Sequence, residues 1–244
     1  EAFVIGLGGD NPWKHKQEIF EMMELGLLDY SDAISMHPYR QPAAPEDVRP
    51  DRMSMYDEIK AISDKMDEYD SGETKIWLTE FGWPTWSGRG GISEKDQARF
   101  IARSIIIMRA LPRVENVVFY DLKDDADNYW DNQEHNFGML MHENYNYAPK
   151  PAAVAYAVLS DLLTGATFVE REESAPDVYR FWFTDKDGRD LIIAWTTKDT
   201  AQETFDVPGK LTVMNMMGQV TQDVIGDSSV TLTLTGDPIY ILSE

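Results

Sequence analysis

The chain has 244 residues, of which 43% are hydrophobic, enough for one large domain or for a medium domain with a smaller companion. Its 43 acidic residues outnumber the 22 basic ones, and the formal charge of −21 disfavours nucleic-acid and anionic-membrane partners. The absence of cysteine excludes disulfides and cysteine-ligated metals, and no apolar run is long enough to cross a membrane. We therefore expect no nucleic acid, no membrane and no cofactor among the partners.

The first 165 residues alternate apolar runs with amphipathic segments. Strands are predicted at 2–7, 32–36, 75–79 and 114–120, and helices at 16–28, 54–69, 93–110 and 152–163. Strands that alternate with helices imply a parallel sheet. An eight-fold (β/α)8 barrel takes about 250 residues. The four βα units therefore predict half of such a barrel.

From Phe168 onward the chain changes to short apolar runs separated by turn residues. Strands are predicted at 178–184, 191–196, 202–207, 211–216, 219–224, 230–234 and 239–242. This pattern is typical of a small antiparallel β-sandwich. The predicted fold class is thus α/β plus all-β, with a half (β/α)8 barrel at residues 1–165 and a β-sandwich at residues 166–244.

Polar and aromatic side chains follow each predicted strand, where active groups of a barrel lie. These strand-end residues are Asp10, His37, Tyr39, Glu80, Tyr120 and Asp121. Glu80 is the strongest candidate for a functional residue, because a charge that closely follows the apolar run 76–78 is partly desolvated and needs partners. An ion pair with a neighbouring base is one interpretation, and a catalytic carboxylate is the other. The tryptophans are open to two interpretations as well, core packing or stacking on a sugar.

Several segments resemble clan A glycoside hydrolases over nearly the whole chain. They are WLTEFGW at 77–83 (their seventh strand), SMHPY at 35–39 (the sixth), FYDLKDD at 119–125 (the eighth), NFGML at 136–140 with PKPAAVAY at 149–156 (the approach to the last helix), and PIYIL at 238–242 (the appended domain). The four βα units then correspond to strands five to eight of the barrel. The nearest subgroup is the xylosidase/iduronidase-like family or a related endo-glycosidase family.

The resemblance implies retaining hydrolysis of β-glycosidic bonds in an oligo- or polysaccharide, with Glu80 as the nucleophile. It implies that substrate is bound by His37, Tyr39, Trp83, Trp86, Tyr120, Asp121 and Trp130. His37 and Tyr39 would orient Glu80 or contact the sugar, and Trp83 and Tyr120 would form the platform. If the parent degrades polysaccharide, the expected location is extracellular or periplasmic. Because the chain starts at Glu1 without methionine, in the middle of a predicted strand, we interpret it as processed, excised or truncated.

The sequence lacks the general acid/base motif of the clan A pattern. Clan A enzymes take their general acid/base from an Asn-Glu pair at the end of strand four, and no such pair follows a strand here. The resemblance therefore predicts that the chain by itself is weak or inactive. An alternative hypothesis is a truncated, non-catalytic carbohydrate-binding or assembly module. In that hypothesis two copies close a barrel by homodimerisation, with Asp10 or Glu80 facing Glu80 of the other copy.

Metal and nucleotide sites are weaker alternatives. His37, His135 and His142 match no metal-ligand spacing, so no metal is expected. The loop carrying Asp121, Asp124, Asp125 and Asp127 fits a solvated acidic segment better than a calcium site. The glycines at 6–9 lack the full dinucleotide-binding pattern.

Overall fold

The computed structural model describes residues 2–70, 72–128, 130, 132–206, 209–224 and 229–243. The chain divides into two compact units, Glu1–Ser93 with Ile107–Ala148, and Glu94–Ile106 with Pro149–Glu244. This division differs from the boundary predicted after residue 165, because two helical segments group with the C-terminal strands. In the described residues, none of the helices combines the length and apolar character needed to span a membrane.

The first unit is built on a parallel sheet of four strands. They are β1 (Ile5–Asp10), β2 (Ala33–Met36), β3 (Lys75–Phe81) and β4 (Val114–Phe119). Neighbours in the sheet follow the chain order, and all three pairings are parallel. All of β2 is buried, whereas β1 and β4 at the edges are partly exposed. The predicted mixed α/β character is confirmed, and the half-barrel remains a prediction.

Helices α1 (Lys16–Glu24) and α2 (Met55–Met66) connect these strands, with a 3₁₀ turn at Leu27–Tyr30. The Ser54 hydroxyl caps α2 by accepting a hydrogen bond from the Asp57 amide at 3.2 Å. The apolar stripe of α2 is fully buried and consists of Met55, Ile59, Ile62 and Met66. A capped start and one apolar face explain why this segment is helical.

The segment between β2 and α2 is anchored by a buried ion cluster of Arg40, Arg52 and Glu58, here called the Glu58 cluster. Glu58 Oε1 lies 3.2 Å from Arg40 Nη2 and 3.3 Å from Arg52 Nε. Arg40 also donates to the carbonyls of Pro45 and Met53. This segment is therefore held to α2 by side-chain contacts.

The second unit contains α3 residues 94–106, α4 and all the antiparallel strands. The bounds are α3 (Glu94–Arg109), α4 (Pro151–Leu163), β5 (Thr167–Ala175), β6 (Val178–Thr184), β7 (Asp190–Thr196), β8 (Ala201–Phe205), β9 (Leu211–Met214), β10 (Val220–Val224), β11 (Val230–Leu234) and β12 (Ile239–Ser243). One sheet has the order β10-β9-β12-β7-β6-β5, and β11 pairs with β8 in a second sheet. Residues of both sheets share one hydrophobic cluster that includes Ile192, Phe205 and Leu232. Arg99 and Arg103 tie α3 to Asp237 and Gly236, which explains why these helical residues group here.

Candidate active site

Glu80 lies near the carboxyl end of β3, where the strand is irregular. Leu78 pairs with Val117 and Phe81 with Phe119, so β3 has one more residue than β4 over this stretch. Such a bulge changes the direction of side chains. As a result Thr79 and Glu80 are both partly exposed, although buried residues flank them. The Glu80 side chain is 42% exposed, so the carboxylate is open to a ligand.

Two residues from the end of β2 fix the Glu80 carboxylate. The Tyr39 hydroxyl donates a hydrogen bond to Glu80 Oε2 at 3.1 Å. His37 Nδ1 lies 3.6 Å from the same oxygen, and His37 Nε2 lies 2.9 Å from Thr79 Oγ1. Thr79 Oγ1 is in turn 2.6 Å from Ser35 Oγ. A neutral imidazole that accepts from Thr79 at Nε2 carries its proton on Nδ1, facing Glu80.

The backbone that carries His37 and Tyr39 is held by side chains from two other segments. Asn11 Nδ2 donates to the carbonyls of both residues, each at 3.1 Å. Arg52 Nη2 donates to the Tyr39 carbonyl at 3.0 Å, which links the Glu58 cluster to the site. The sequence did not indicate Asn11, Thr79 or Arg52 as site residues. Asn11 directly follows Asp10 at the end of β1, so the strand-end rule was the available signal.

Three aromatic rings form one wall beside Glu80. The ring of Tyr39 lies 6.5 Å from Tyr120 and 6.0 Å from Phe137, and Tyr120 lies 5.4 Å from Phe137. Burial raises the pKa of Tyr39 far above its usual value, and the Glu80 charge acts in the same direction. Tyr39 therefore remains a hydrogen-bond donor to Glu80 throughout the physiological pH range. Burial also raises the pKa of Tyr120, with Asp121 and Glu134 contributing.

The structure corrects the prediction for Trp83. Its side chain is only 1% exposed, and its Nε1 donates to the Ala43 carbonyl at 2.9 Å. A ring enclosed in this way cannot stack on a sugar, and its edge packs on Phe81 with the centroids 6.2 Å apart. Trp83 is therefore a core residue that supports the strand carrying Glu80.

The other two predicted tryptophans differ from Trp83 in exposure. Trp86 is partly exposed, and Gly88 and Gly91 lie so close to its ring that an added Cβ would be within 2.5 Å of it. Trp130 is 74% exposed. Both rings thus have accessible surface, and their contact with substrate remains a prediction.

Asp121, directly after Tyr120, carries a buried oxygen with an unusual environment. Its Oδ1 has no hydrogen-bond partner among the described residues. Burial raises the pKa of Asp121 to about 6, and Asp125 and Asp124 act in the same direction. The raised pKa means that the folded chain holds the proton more tightly than the unfolded chain, whose Asp pKa is about 3.9. The contribution of protonated Asp121 to the free energy of unfolding is therefore fully present below about pH 4, and it is lost as the pH rises through about 6.

Asp121→Asn is expected to raise the free energy of unfolding by about 1 kcal/mol at pH 7, because the amide carries no charge to desolvate. At pH 4 and below the variant and the native chain should be equally stable. Urea unfolding at both pH values measures the difference. Asp125→Asn removes the charge that acts most strongly on Asp121 and should move the stability change to lower pH. An Asp121→Asn effect that is the same at both pH values would contradict this assignment.

The side chains of the acidic loop that carries Asp124 and Asp125 contact other groups of the protein. Among the residues that the structure describes, no group of three or more His, Asp or Glu side chains is arranged to hold a metal ion. Lys123 Nζ instead lies 3.2 Å from Asp125, and Asp124 accepts from the Gly138 amide at 3.0 Å. The acidic loop is thus partly neutralised by protein contacts.

The chain shares its fold with several solved structures. A family 39 glycoside hydrolase from Bacteroides cellulosilyticus WH2 matches with a TM-score of 0.75 and 26% identity, over 93% of this chain and 47% of that one. The family 51 arabinofuranosidase of Xanthomonas axonopodis pv. citri matches with a TM-score of 0.69 and 14% identity, over 100% and 59%. A family 39 β-xylosidase from Caulobacter crescentus matches with a TM-score of 0.55 and 13% identity, over 99% and 57%.

The chain therefore spans about half the length of the solved structures that it matches. It has the C-terminal part of their fold, which confirms the resemblance to clan A predicted from the sequence. No protein-family model matches the chain, and no curated protein matches it by sequence.

Proposed function

Because the chain has the C-terminal part of the clan A glycoside hydrolase fold, we propose that it is the nucleophile-bearing part of a retaining β-glycosidase. The observation that carries the proposal is the Glu80 carboxylate, which is fixed by Tyr39 at 3.1 Å and flanked by His37 at 3.6 Å. The Glu80 side chain is 42% exposed. It is thus oriented by protein and accessible to a sugar, as a nucleophile must be.

In the proposed reaction a Glu80 oxygen attacks the anomeric carbon, and the bond to the leaving oxygen breaks. The result is a covalent glycosyl-enzyme, which water then hydrolyses with retention of configuration. The Tyr39 hydroxyl, which donates to Glu80, holds the carboxylate in the attacking position, and the His37 imidazole lies beside it. Tyr120 offers a ring face to the sugar, and Trp86, Trp130 and Asp121 are further proposed contacts.

Retaining hydrolysis also requires a second carboxyl group about 5–5.5 Å from the nucleophile, which protonates the leaving oxygen. The clan A pattern provides it on barrel strand four, whereas these four strands correspond to strands five to eight. Without general acid catalysis the rate falls by about 10²–10⁴-fold. We therefore propose that the chain by itself is a weak or inactive enzyme. A substrate with an activated leaving group is then needed to detect nucleophilic attack by Glu80.

Covalent trapping tests the role of Glu80 without relying on turnover. A 2-deoxy-2-fluoro β-xyloside or β-glucoside with a dinitrophenyl leaving group needs little protonation and leaves a stable glycosyl ester. Intact mass spectrometry should show one added sugar on the native chain, and peptide mapping should place it on Glu80. Glu80→Gln should remain unlabelled. Labelling elsewhere, or equal labelling of the variant, would refute the proposal.

The second candidate is a non-catalytic assembly module whose partner is another copy of the chain. It is favoured by the apolar edge of the parallel sheet, where Phe3, Val4 and Ile5 are 55%, 46% and 40% exposed. Two half-barrels related by a two-fold axis would cover such edges. Analytical ultracentrifugation distinguishes the candidates, since a folded monomer at micromolar concentration rules out homodimer closure.

A further inference from the structure

A cavity of about 300 Å³, here called the Trp13 cavity, lies between the loops that follow β1 and β2. Its volume is at the lower end of the range for small-molecule sites and suits a ligand of one ring. Because adjacent parallel strands bring their carboxyl ends to one edge, the cavity lies at the same edge of the sheet as Glu80. The lining consists of Pro12, Trp13, Lys16, residues 48–53 and Glu58.

Contacts of Trp13 join the two loops across the cavity. Its Nε1 donates to the Asp51 carbonyl at 2.6 Å, and the guanidinium carbon of Arg52 lies 4.6 Å from the centroid of its ring. Asn11 Oδ1 accepts from the Trp13 amide at 3.1 Å. On the other loop the amides of Arg49 and Arg52 each donate to the carbonyl of the other, at 2.8 and 3.0 Å. The walls are therefore fixed before a ligand binds, which lowers the cost of binding.

Two arginines and a glutamate of the lining are already paired with other charges of the protein. Arg52 Nε lies 3.3 Å from Glu58 Oε1, and Glu58 Oε2 is buried. Arg49 Nη2 lies 3.8 Å from Asp47 Oδ2 on the same loop. Since the side chains of Arg52 and Glu58 are only 8% and 3% exposed, this pair forms the inner wall and presents little free charge to a ligand.

Two charged side chains of the lining, of opposite sign, are left for a ligand. Lys16 is half-buried and Asp51 is exposed, and with the described residues neither side chain forms a hydrogen bond or an ion pair. The same cavity is lined by Val48 and Met53, which are 69% and 41% exposed. It therefore offers one strong donor, one strong acceptor and an apolar wall, a combination typical of small-molecule sites.

The Trp13 cavity adjoins the residue that fixes Glu80. Arg52, in the cavity wall, donates from Nη2 to the Tyr39 carbonyl at 3.0 Å, and the Tyr39 hydroxyl donates to Glu80 at 3.1 Å. Asn11, next to Pro12 of the lining, also donates to the Tyr39 carbonyl at 3.1 Å. One residue thus connects the cavity wall to the Glu80 carboxylate, which brings the cavity within reach of an oligosaccharide bound at Glu80.

We propose that the Trp13 cavity is a second carbohydrate-binding site, which takes one neutral sugar unit of an oligosaccharide. A pyranose has apolar C–H faces for the wall, and its hydroxyls can accept from Lys16 and donate to Asp51. An anionic group would be attracted by Lys16 but repelled by Asp51, so a neutral ligand of mixed donors and acceptors fits better. The inference goes beyond the proposed function, because it requires no reaction at Glu80.

NMR titration with xylohexaose and with cellohexaose, two neutral oligosaccharides, tests the proposal. The indole N–H signal of Trp13, identified by its loss in Trp13→Phe, reports on the cavity directly. It should shift in the native chain, and it should still shift in Glu80→Gln, because this site binds without the nucleophile. Lys16→Gln and Asp51→Asn should each weaken the binding measured from this signal by about ten-fold, the loss expected when a charge-assisted hydrogen bond is removed.

Lys14→Gln is the matched control, because it removes an equal charge from the same loop at an exposed residue outside the lining. It should bind like the native chain, and all three charge variants should melt close to the native temperature. The inference is overturned if the Trp13 signal moves with neither oligosaccharide, if Lys16→Gln or Asp51→Asn binds like the native chain, or if Lys14→Gln weakens binding equally. Covalent trapping at Glu80 does not depend on these results and tests the proposed function separately.

Discussion

Replacing Glu58 by glutamine is expected to lower the free energy of unfolding by about 3–5 kcal/mol, the cost of removing one partner from a buried ion pair. The Glu58 side chain is 3% exposed, and those of Arg40 and Arg52 are 0% and 8% exposed. Burial lowers the pKa of Arg40 to about 10, although Glu58 acts in the opposite direction. Two buried guanidinium groups would therefore remain without their shared anion.

The Glu58 cluster does not fully offset the cost of its own burial. Burial raises the pKa of Glu58 even though Arg40 and Arg52 act to lower it. The cluster is therefore important for holding the loop rather than for net stability. Arg52 donates to the Tyr39 carbonyl, so loss of the cluster should also loosen the residue that fixes Glu80.

Urea unfolding measures this loss, and Asp64→Asn on the same helix is the matched control. Asp64 forms an exposed pair with Lys60 at 2.7 Å, and such pairs contribute only about 0.3–0.5 kcal/mol. Both substitutions remove one negative charge from α2. The difference between their effects on the free energy of unfolding therefore measures the effect of burying the charge. A Glu58→Gln variant within about 1 kcal/mol of Asp64→Asn would show that the cluster is not a desolvated ion pair.

Strands and helices could be predicted where the spacing of apolar residues follows the pattern of buried positions. The predicted bounds of β6 and β11 agree with the structure because β11 alternates between buried and exposed residues and no residue of β6 is fully exposed. The sequence did not predict β5 (Thr167–Ala175), which contains four consecutive charged residues. It is a strand because it pairs with β6 at the edge of the sheet, where one side remains in solvent. A strand of this kind has no alternation of apolar and polar residues from which it could be predicted.

The candidate site could be predicted only as far as strand ends determine it. His37, Tyr39 and Glu80 come together because adjacent parallel strands bring their carboxyl ends to one edge. The side to which Trp83 turns could not be predicted, because it depends on the Ala43 carbonyl in a distant loop.

Gly9→Ala is expected to lower the free energy of unfolding by about 2–4 kcal/mol, the sum of backbone strain and overpacking. Gly9 has a φ of +92°, which L-residues rarely adopt. An added Cβ would lie 2.3 Å from Cε1 and 2.4 Å from Nε2 of His37. The imidazole would have to turn away, which would break its contact with Thr79 at 2.9 Å and remove it from Glu80.

Gly8→Ala is the matched control one residue earlier in β1. An added Cβ at Gly8 meets no described atom within 4 Å, so its effect on stability should stay within about 0.5 kcal/mol. NMR of the His37 ring protons should show a changed environment in Gly9→Ala and an unchanged one in Gly8→Ala. Glycoside binding should weaken only in the Gly9 variant, because the proposed nucleophile loses one of the two groups that orient it. Equal stability and equal His37 spectra in the two variants would show that Gly9 is not needed to seat the imidazole beside Glu80.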